Sequence, residues 1–160
     1  MKAVHPIAPL FNESSRVLIL GSFPSVKSRE EMFFYGHKQN RFWKVLSSIF
    51  CSVEPKTIEE KKKLLLSNYI AIWDVIKSCE ITGSADSSIK NVIPNDLSVI
   101  LGAAKIEKII VNGKTAEKYY NKYIEPRIRI KAICLPSTSA ANAAFSLNRL
   151  IDEWKIIKSL

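Results

Sequence analysis

The chain has 160 residues, of which 47% are hydrophobic, and it carries a formal net charge of +9 at pH 7. This length and apolar content predict a single domain over residues 1–160 with one core, and the positive charge favours polyanionic partners such as nucleic acid. No apolar run approaches the ~18 residues of a membrane span, and the first residues lack the apolar segment of a signal peptide. We therefore expect a cytoplasmic protein without a membrane partner.

The three cysteines argue against a metal centre. Cys51, Cys79 and Cys134 are widely spaced, and none of them forms a CxxC or Cys/His pair. An odd number at such spacing fits neither a disulfide framework nor a zinc or iron–sulfur site. We therefore expect reduced, mostly buried cysteines and no metal.

Short apolar runs alternate with segments of helical spacing along the chain. The predicted strands are residues 16–21, 69–74, 108–112 and 128–135. The predicted helices are residues 41–50, 57–68, 95–104, 115–123 and 144–157. Strands that alternate with helices indicate a parallel sheet covered by helices on both faces.

Ligands of such sheets bind beyond the carboxyl ends of the strands, so the segments after the strands are the candidate sites. These are GSFPS (21–25), WDVI (73–76), NGKTA (112–116) and LPSTSAAN (135–142). Three of the four are rich in small polar residues rather than charges, which is unusual for a metal or acid/base enzyme. Gly21 and Pro24 force a tight turn whose N–H groups could cradle an anion or a carbonyl, although any strand exit can use these residues.

The segment from Met32 to Trp43 places three consecutive aromatics ahead of a helix. Phe33, Phe34 and Tyr35 could offer a flat face to a base or could cap the core. Asn40 is equally suited to be the N-cap of a helix that begins at Arg41. Composition alone favours the cap.

Two further segments carry hydrogen-bonding groups. Asn112 precedes a glycine, but the helical pattern that follows argues against a hairpin, so its amide is expected at the ligand edge, where it could read a base edge. Pro136 begins a segment with three hydroxyls, Ser137, Thr138 and Ser139, at a predicted helix entrance that could hold a phosphate or cap the helix.

Seven segments together carry a family resemblance. In chain order they are HPIAPLF, VLILGSFPS, FFYGHKQNRFW, IWDVI, GSADSSIKN, IIVNGKTA and LPSTSAAN. They span nearly the whole chain and resemble the uracil-DNA glycosylase superfamily, most closely its hypoxanthine-DNA glycosylase branch. The resemblance implies a three-layer α/β/α sandwich with a four-stranded parallel central sheet, a monomer without cofactors, and DNA that contains deaminated bases as partner, bound in the nucleoid.

The resemblance also assigns roles. Asn40 matches the catalytic asparagine of the branch, whose carbonyl oxygen would orient the attacking water, and Phe33, with Tyr35 as the alternative, matches the aromatic that stacks on the flipped base. The other residues expected to bind the base are Gly21, Ser22, Phe23 and Asn112. Those expected to bind the DNA backbone are Pro24, Ser25, Lys38, Arg41, Pro136, Ser137, Thr138, Ser139 and Asn142.

The chain departs from the superfamily pattern at several positions. Phe23 stands where most relatives carry the Asp or Asn that positions water, and Leu135 stands where many have His. Lys38 and Ala140 each replace a proline, and Ser139 falls where other branches insert a leucine wedge. The residue that fills the space of the flipped base is therefore open.

The expected activity is hydrolysis of the N-glycosidic bond of a flipped deaminated base by a monofunctional DNA glycosylase, in base-excision repair. Hypoxanthine is the leading base, with uracil or xanthine as alternatives. A member that binds DNA but has lost catalysis remains open because of Phe23. A flavodoxin-like nucleotide binder lacks its phosphate loop here, and a serine hydrolase built on Ser22 or Ser25 lacks the GxSxG elbow and a convincing histidine partner.

Overall fold

The computed structural model of the protein describes residues 1–159. Its central sheet consists of β2 Val17–Gly21, β3 Ile70–Asp74, β6 Lys108–Asn112 and β7 Ala132–Leu135. The sheet is parallel and has the strand order β3-β2-β6-β7. The predicted four-stranded parallel sheet is confirmed. β7 is shorter than the predicted run because a helical turn ends at Arg129, which lies in the left-handed region with φ 58°.

A second sheet, which the sequence pattern did not predict, lies beside the first. β1 (Lys2–Val4), β4 (Ile76–Glu80) and β5 (Lys90–Pro94) pair antiparallel in the order β1-β4-β5. β4 starts two residues after β3 ends, so the WDVI segment is not a simple loop exit. The sequence pattern missed this strand because Lys77, Ser78 and Glu80 make it polar and its pairing with β5 is irregular.

The helices confirm the alternation but not every boundary. They are α1 Val26–Glu31, α2 Phe42–Ile49, α3 Ile58–Ser67, α4 Ser98–Leu101, α5 Lys114–Tyr119, α6 Glu125–Ile128 and α7 Leu147–Trp154. α5 runs into a π-helical turn, Tyr120–Ile124, and α7 into a 3-10 turn, Lys155–Ser159. No helix among residues 1–159 has the length and apolarity that crossing a bilayer requires.

Alternation along the central strands creates two apolar layers. Ile19, Ile72 and Ile110 face α2, α3 and α7. Leu18, Ala71 and Ile109 face α4, α5 and the second sheet. Since successive side chains of a strand point to opposite faces, both faces of the sheet are buried, and the strand ends are left as the one polar edge.

Trp154 ties the last helix to the loop after β7. Its side chain is fully buried, and its indole Nε1–H donates to the Pro136 carbonyl over 2.8 Å. The Trp154→Ala variant should lower the free energy of unfolding by about 3–5 kcal/mol, because it leaves a cavity and an unpaired carbonyl. Ile156→Ala, at a side chain that is 42% exposed, should cost about 0.5 kcal/mol. Equal effects in urea unfolding would contradict this assignment.

Candidate active site

A cleft of about 560 Å³ opens at the carboxyl edge of the parallel sheet. Its walls come from the segments after β2, β6 and β7, from the aromatic segment before α2 and from the 3-10 turn Asp86–Ser88 with the residues ahead of it. The volume falls in the range of small-molecule sites and exceeds that of a single base. The lining confirms that the strand ends meet at one edge, as the topology requires.

One hydrogen-bonded chain of neutral side chains crosses the floor of the cleft. Asn112 Nδ2 donates to the Tyr35 hydroxyl and to Thr138 Oγ1, each over 3.1 Å. Thr138 returns its backbone N–H to Asn112 Oδ1 over 3.1 Å and gives its hydroxyl proton to Asn40 Oδ1 over 2.9 Å. These bonds therefore link Tyr35, Asn112, Thr138 and Asn40. The two bonded partners farthest apart in the sequence, Asn40 and Thr138, are separated by 98 residues.

This arrangement fixes the Asn112 amide. A backbone N–H must meet the amide oxygen, so the Thr138 N–H determines which end of the amide is oxygen. Both N–H groups of Asn112 then donate within the protein, and the side chain is only 9% exposed. In the unliganded chain Asn112 therefore orients the Tyr35 hydroxyl, and its expected contact with a base stays a prediction.

Asn40 lies one residue before Arg41, the N-cap of α2, so it is not the N-cap itself. Its Oδ1 accepts from the Phe42 N–H over 3.0 Å, at the start of α2, which begins one residue later than predicted. The same oxygen accepts the Thr138 hydroxyl, so both of its lone pairs are engaged. Asn40 lines the cleft and is partly exposed there.

Gly21 brings the glycine turn against two polar groups. A Cβ at this position would collide with Asp74 Oδ1 and would lie 2.9 Å from the Tyr35 hydroxyl oxygen. Only glycine leaves room for both groups at the end of β2. Ser22, Phe23, Pro24 and Ser25 continue from Gly21 along the same wall.

Two carboxylates that were not among the predicted site residues, Asp74 and Asp86, line the cleft. Asp74 follows β3 directly, so its place at a strand end was the available signal. Burial raises the pKa of the Asp86 carboxyl, against hydrogen bonds from Thr115 and Ser22 that lower it, and the Asp74 charge raises it further. Burial and the charge of Asp74 also raise the pKa of Tyr35 far above its usual value, so its hydroxyl keeps its proton.

The three consecutive aromatic residues of the segment before α2 do not all line the cleft. Phe33 is buried in the core against Phe34 and Trp43 and does not line the cleft, so the structure favours Tyr35, the alternative, as the aromatic that could stack on a base. The aromatic rings that line the cleft are Phe23, Phe34 and Tyr35. Tyr35 stacks on Phe42 with ring centroids 4.1 Å apart, which holds its hydroxyl over Gly21.

Of the residues expected to bind the DNA backbone, some line the cleft and others do not. Ser137, Thr138 and Ser139 line the cleft, but they lie in a loop and not at a helix entrance, because α7 begins only at Leu147. Pro136 and Asn142 lie outside the cleft: the Pro136 carbonyl accepts from Trp154, and Asn142 Nδ2 donates to the Ser137 carbonyl.

Arg41 lies against the loop after β7 and does not line the cleft. Its guanidinium donates to the carbonyls of Phe145, Ser139 and Asn142. These bonds shape the loop, and the expected contact of Arg41 with the DNA backbone stays a prediction. Lys38 and Lys114 are exposed near the cleft and keep free ammonium groups among the described residues.

The chain was then compared with known proteins. The sequence profile described as the uracil DNA glycosylase superfamily matches residues 8–160. The chain belongs to the uracil DNA glycosylase superfamily. The membership inferred from the seven sequence segments is confirmed, and the chain is accordingly a DNA glycosylase of this superfamily.

Individual relatives agree over nearly their full lengths. A hypoxanthine DNA glycosylase from Methanosarcina acetivorans is 35% identical over 153 residues, which cover 92% of this chain and 93% of the relative. One from Methanosarcina barkeri is 32% identical over 139 residues, or 84% and 85% of the two chains. The solution structure of a Methanosarcina acetivorans protein, described provisionally as a uracil DNA glycosylase, matches this glycosylase with a TM-score of 0.83 and 32% identity, over 99% and 97% of the two chains.

Residues 1–159 hold no cluster of three or more His, Cys, Asp or Glu side chains that could bind a metal ion. The polar side chains that line the cleft carry amides, hydroxyls, two carboxylates and the His37 imidazole. Such a set can orient water and bind a base edge by hydrogen bonds.

The Thr138 hydroxyl joins Asn112 to Asn40, and Thr138→Val removes it with little change of shape. A buried Asn112 N–H then loses its acceptor, so the free energy of unfolding should fall by about 1–3 kcal/mol. Thr138→Ser keeps the hydroxyl and should retain the bonds, at the smaller cost of one buried methyl group. Urea unfolding of both variants measures the difference, and a valine variant as stable as the serine variant would contradict the bonded chain.

Proposed function

We propose that this glycosylase excises hypoxanthine from DNA by hydrolysis of the N-glycosidic bond, and that Asn40 is its catalytic residue. The observation that carries the proposal is the bonded chain of Tyr35, Asn112, Thr138 and Asn40 on the floor of a cleft that can take a base. The relatives named as hypoxanthine DNA glycosylases support the choice of base. Uracil and xanthine are the alternatives that the assay below separates.

The chemistry suits a site with few charges. Breaking the bond between C1′ and the base leaves positive character on the sugar and negative character on the base. The DNA phosphates stabilise the cation, while fixed N–H and O–H dipoles stabilise the departing anion without reorganising. The backbone N–H groups of the turn from Gly21 to Ser25 and the protonated Tyr35 hydroxyl are the donors we assign to this role.

Asn40 acts on water and not as a base, since an amide is essentially non-basic. Its Oδ1 accepts the Thr138 proton in the unliganded chain. A hydroxyl proton can rotate, so a water in the cleft can take the place of Thr138 as donor to this oxygen. The carbonyl would then hold the water against C1′, and this positioning accounts for the rate.

We assign contact with the DNA phosphates to the exposed lysines beside the cleft. Lys38 and Lys114 are exposed beside the cleft, and the Pro24, Ser25, Ser137 and Ser139 segments line its walls. A mismatched base such as hypoxanthine leaves the stack at lower cost than a paired one, which adds selectivity before any base contact is made.

Excision is tested directly with duplexes that carry hypoxanthine, uracil or xanthine, treated with alkali to cleave abasic sites. We expect hypoxanthine to be released fastest, with no strand break before alkali. Asn40→Ala should lower the single-turnover rate by about 10²–10³. Asn148→Ala, an exposed asparagine on α7, should leave it unchanged.

Full activity of Asn40→Ala would remove Asn40 from the mechanism. Release of uracil or xanthine in preference to hypoxanthine would replace the proposed base while leaving the enzyme class in place.

DNA affinity should fall steeply with salt, because each phosphate neutralised by a lysine releases counterions. Lys38→Ala should lower the slope of log K against log salt by about 0.9. The matched control, Lys63→Ala, lies on α3, which contributes no residue to the cleft, and should leave the slope unchanged. Fluorescence anisotropy across a salt series measures both, and a flat dependence for the wild type would contradict the assigned DNA contact.

A further inference from the structure

Asp74 places a buried carboxylate at the base-binding end of the cleft. The residue is 4% exposed, yet it is one of the groups that line the cleft. Its Oδ2 is bonded to His5 Nε2 over 2.8 Å. No group among residues 1–159 donates to Oδ1, the oxygen that lies against Gly21. Because Asp74 lines the cleft, this oxygen is an acceptor that a ligand in the cleft can use.

The N-terminal segment holds His5 in one place. The His5 N–H donates to the Lys77 carbonyl over 2.7 Å, and Leu10 exchanges two backbone hydrogen bonds with Ile72. The Trp73 indole N–H donates to the Ile7 carbonyl over 3.0 Å. β1, the strand that precedes His5, is itself paired with β4, so the segment is anchored on both sides of the imidazole.

The histidine tautomer follows from a second contact. The Ile7 N–H donates to His5 Nδ1 over 3.1 Å, so Nδ1 is an acceptor and the ring proton lies on Nε2. Nε2–H then donates to Asp74 Oδ2. The rings of Phe23, Phe34 and Trp73 surround the imidazole, with centroids 6.0, 6.2 and 6.1 Å away. His5 therefore fixes one carboxylate oxygen and leaves the other facing the cleft.

Tyr35 supplies the complementary group beside Asp74 Oδ1. Its hydroxyl oxygen accepts from Asn112, so its own proton is free to point elsewhere. Both Asp74 Oδ1 and this hydroxyl crowd the point where a Gly21 Cβ would stand. The cleft thus presents an acceptor and a donor side by side.

We propose that Asp74 Oδ1 reads the ring N–H that deamination creates in a base, while the Tyr35 hydroxyl donates to the adjacent carbonyl oxygen and His5 positions the carboxylate. This rests on the proposed glycosylase function and extends it to the basis of selectivity. Hypoxanthine presents N1–H beside O6, and uracil presents N3–H beside O4. Adenine and cytosine present the reverse pattern, an unprotonated ring nitrogen beside an amino group.

A carboxylate discriminates between a protonated and an unprotonated ring nitrogen more strictly than an amide does. An ionised Asp can only accept, whereas an Asn can turn to present either its oxygen or its NH₂ group. An unprotonated ring nitrogen would face Asp74 Oδ1 lone pair to lone pair, so adenine is rejected. Guanine shares N1–H and O6, and its stable pairing with cytosine, which raises the cost of flipping, is what keeps it out of the cleft.

The test uses duplexes that carry either hypoxanthine or unsubstituted purine, whose N1 is an acceptor. The wild type should release hypoxanthine about 10²-fold faster than purine under single-turnover conditions. Asp74→Asn keeps an oxygen for His5 and turns an NH₂ group toward the base. It should therefore lower the rate of hypoxanthine release, raise the rate of purine release, and reduce the ratio of the two rates at least tenfold. Equal slowing of both substrates, or no change, would overturn the proposal.

Two outcomes with the wild type alone distinguish failure of the Asp74 proposal from failure of the proposed glycosylase function. Equal release of hypoxanthine and purine would overturn the role of Asp74 and leave the glycosylase assignment standing. No release of hypoxanthine, uracil or xanthine would overturn both.

The positioning role of His5 is tested by a pair of variants. His5→Gln retains a side-chain N–H for Asp74 and should keep the hypoxanthine-to-purine ratio within about threefold of wild type. His5→Leu removes the donor and should lower the ratio at least tenfold. If both variants lower the overall rate but keep the ratio, His5 serves only stability, and the positioning role is wrong.

Discussion

The pair of hydrogen bonds between Asn112 and Thr138 is the contact on which the site depends. One bond uses a backbone N–H of the loop after β7, and the other uses the amide N–H at the end of β6, so the two strand ends are joined in one orientation. Because the amide cannot turn, its second N–H is aimed at Tyr35, and the Thr138 hydroxyl is aimed at Asn40. A single locked amide therefore orients a group on each side of the cleft.

The locked amide explains how a site with few charges can be catalytic. Fixed dipoles in a partly buried cleft stabilise developing charge without reorganising, and a buried hydroxyl such as that of Tyr35 stays protonated because burial raises its pKa. The Arg41 guanidinium donates to three backbone carbonyls of the loop after β7. It therefore helps to shape this loop, while the exposed lysines beside the cleft are suited to phosphate.

The sequence was sufficient for the sheet and for the edge at which the site lies, because both follow from local patterns: apolar runs of strand length and polar residues directly after them. It was not sufficient for Arg41, whose guanidinium contacts a loop about 100 residues away in sequence, or for Phe33, which packs into the core on Phe34 and Trp43. Nor did it predict the second sheet, since β4 is rich in polar residues and pairs irregularly with β5. Asp74 and His5 come together across 69 positions, and no spacing rule joins them.

We propose that Asp74, Tyr35 and Asn40 receive a flipped base in the cleft. The direct test is a structure of the protein bound to a duplex that carries 2′-fluoro-deoxyinosine, because the glycosidic bond of this nucleotide resists cleavage. The account predicts an extrahelical hypoxanthine in the cleft, with O6 bonded to the Tyr35 hydroxyl and Asn40 facing a water near C1′. A hypoxanthine that stays stacked in the duplex, or that lies in the cleft with its ring edge turned away from Tyr35 and Asp74, would contradict it.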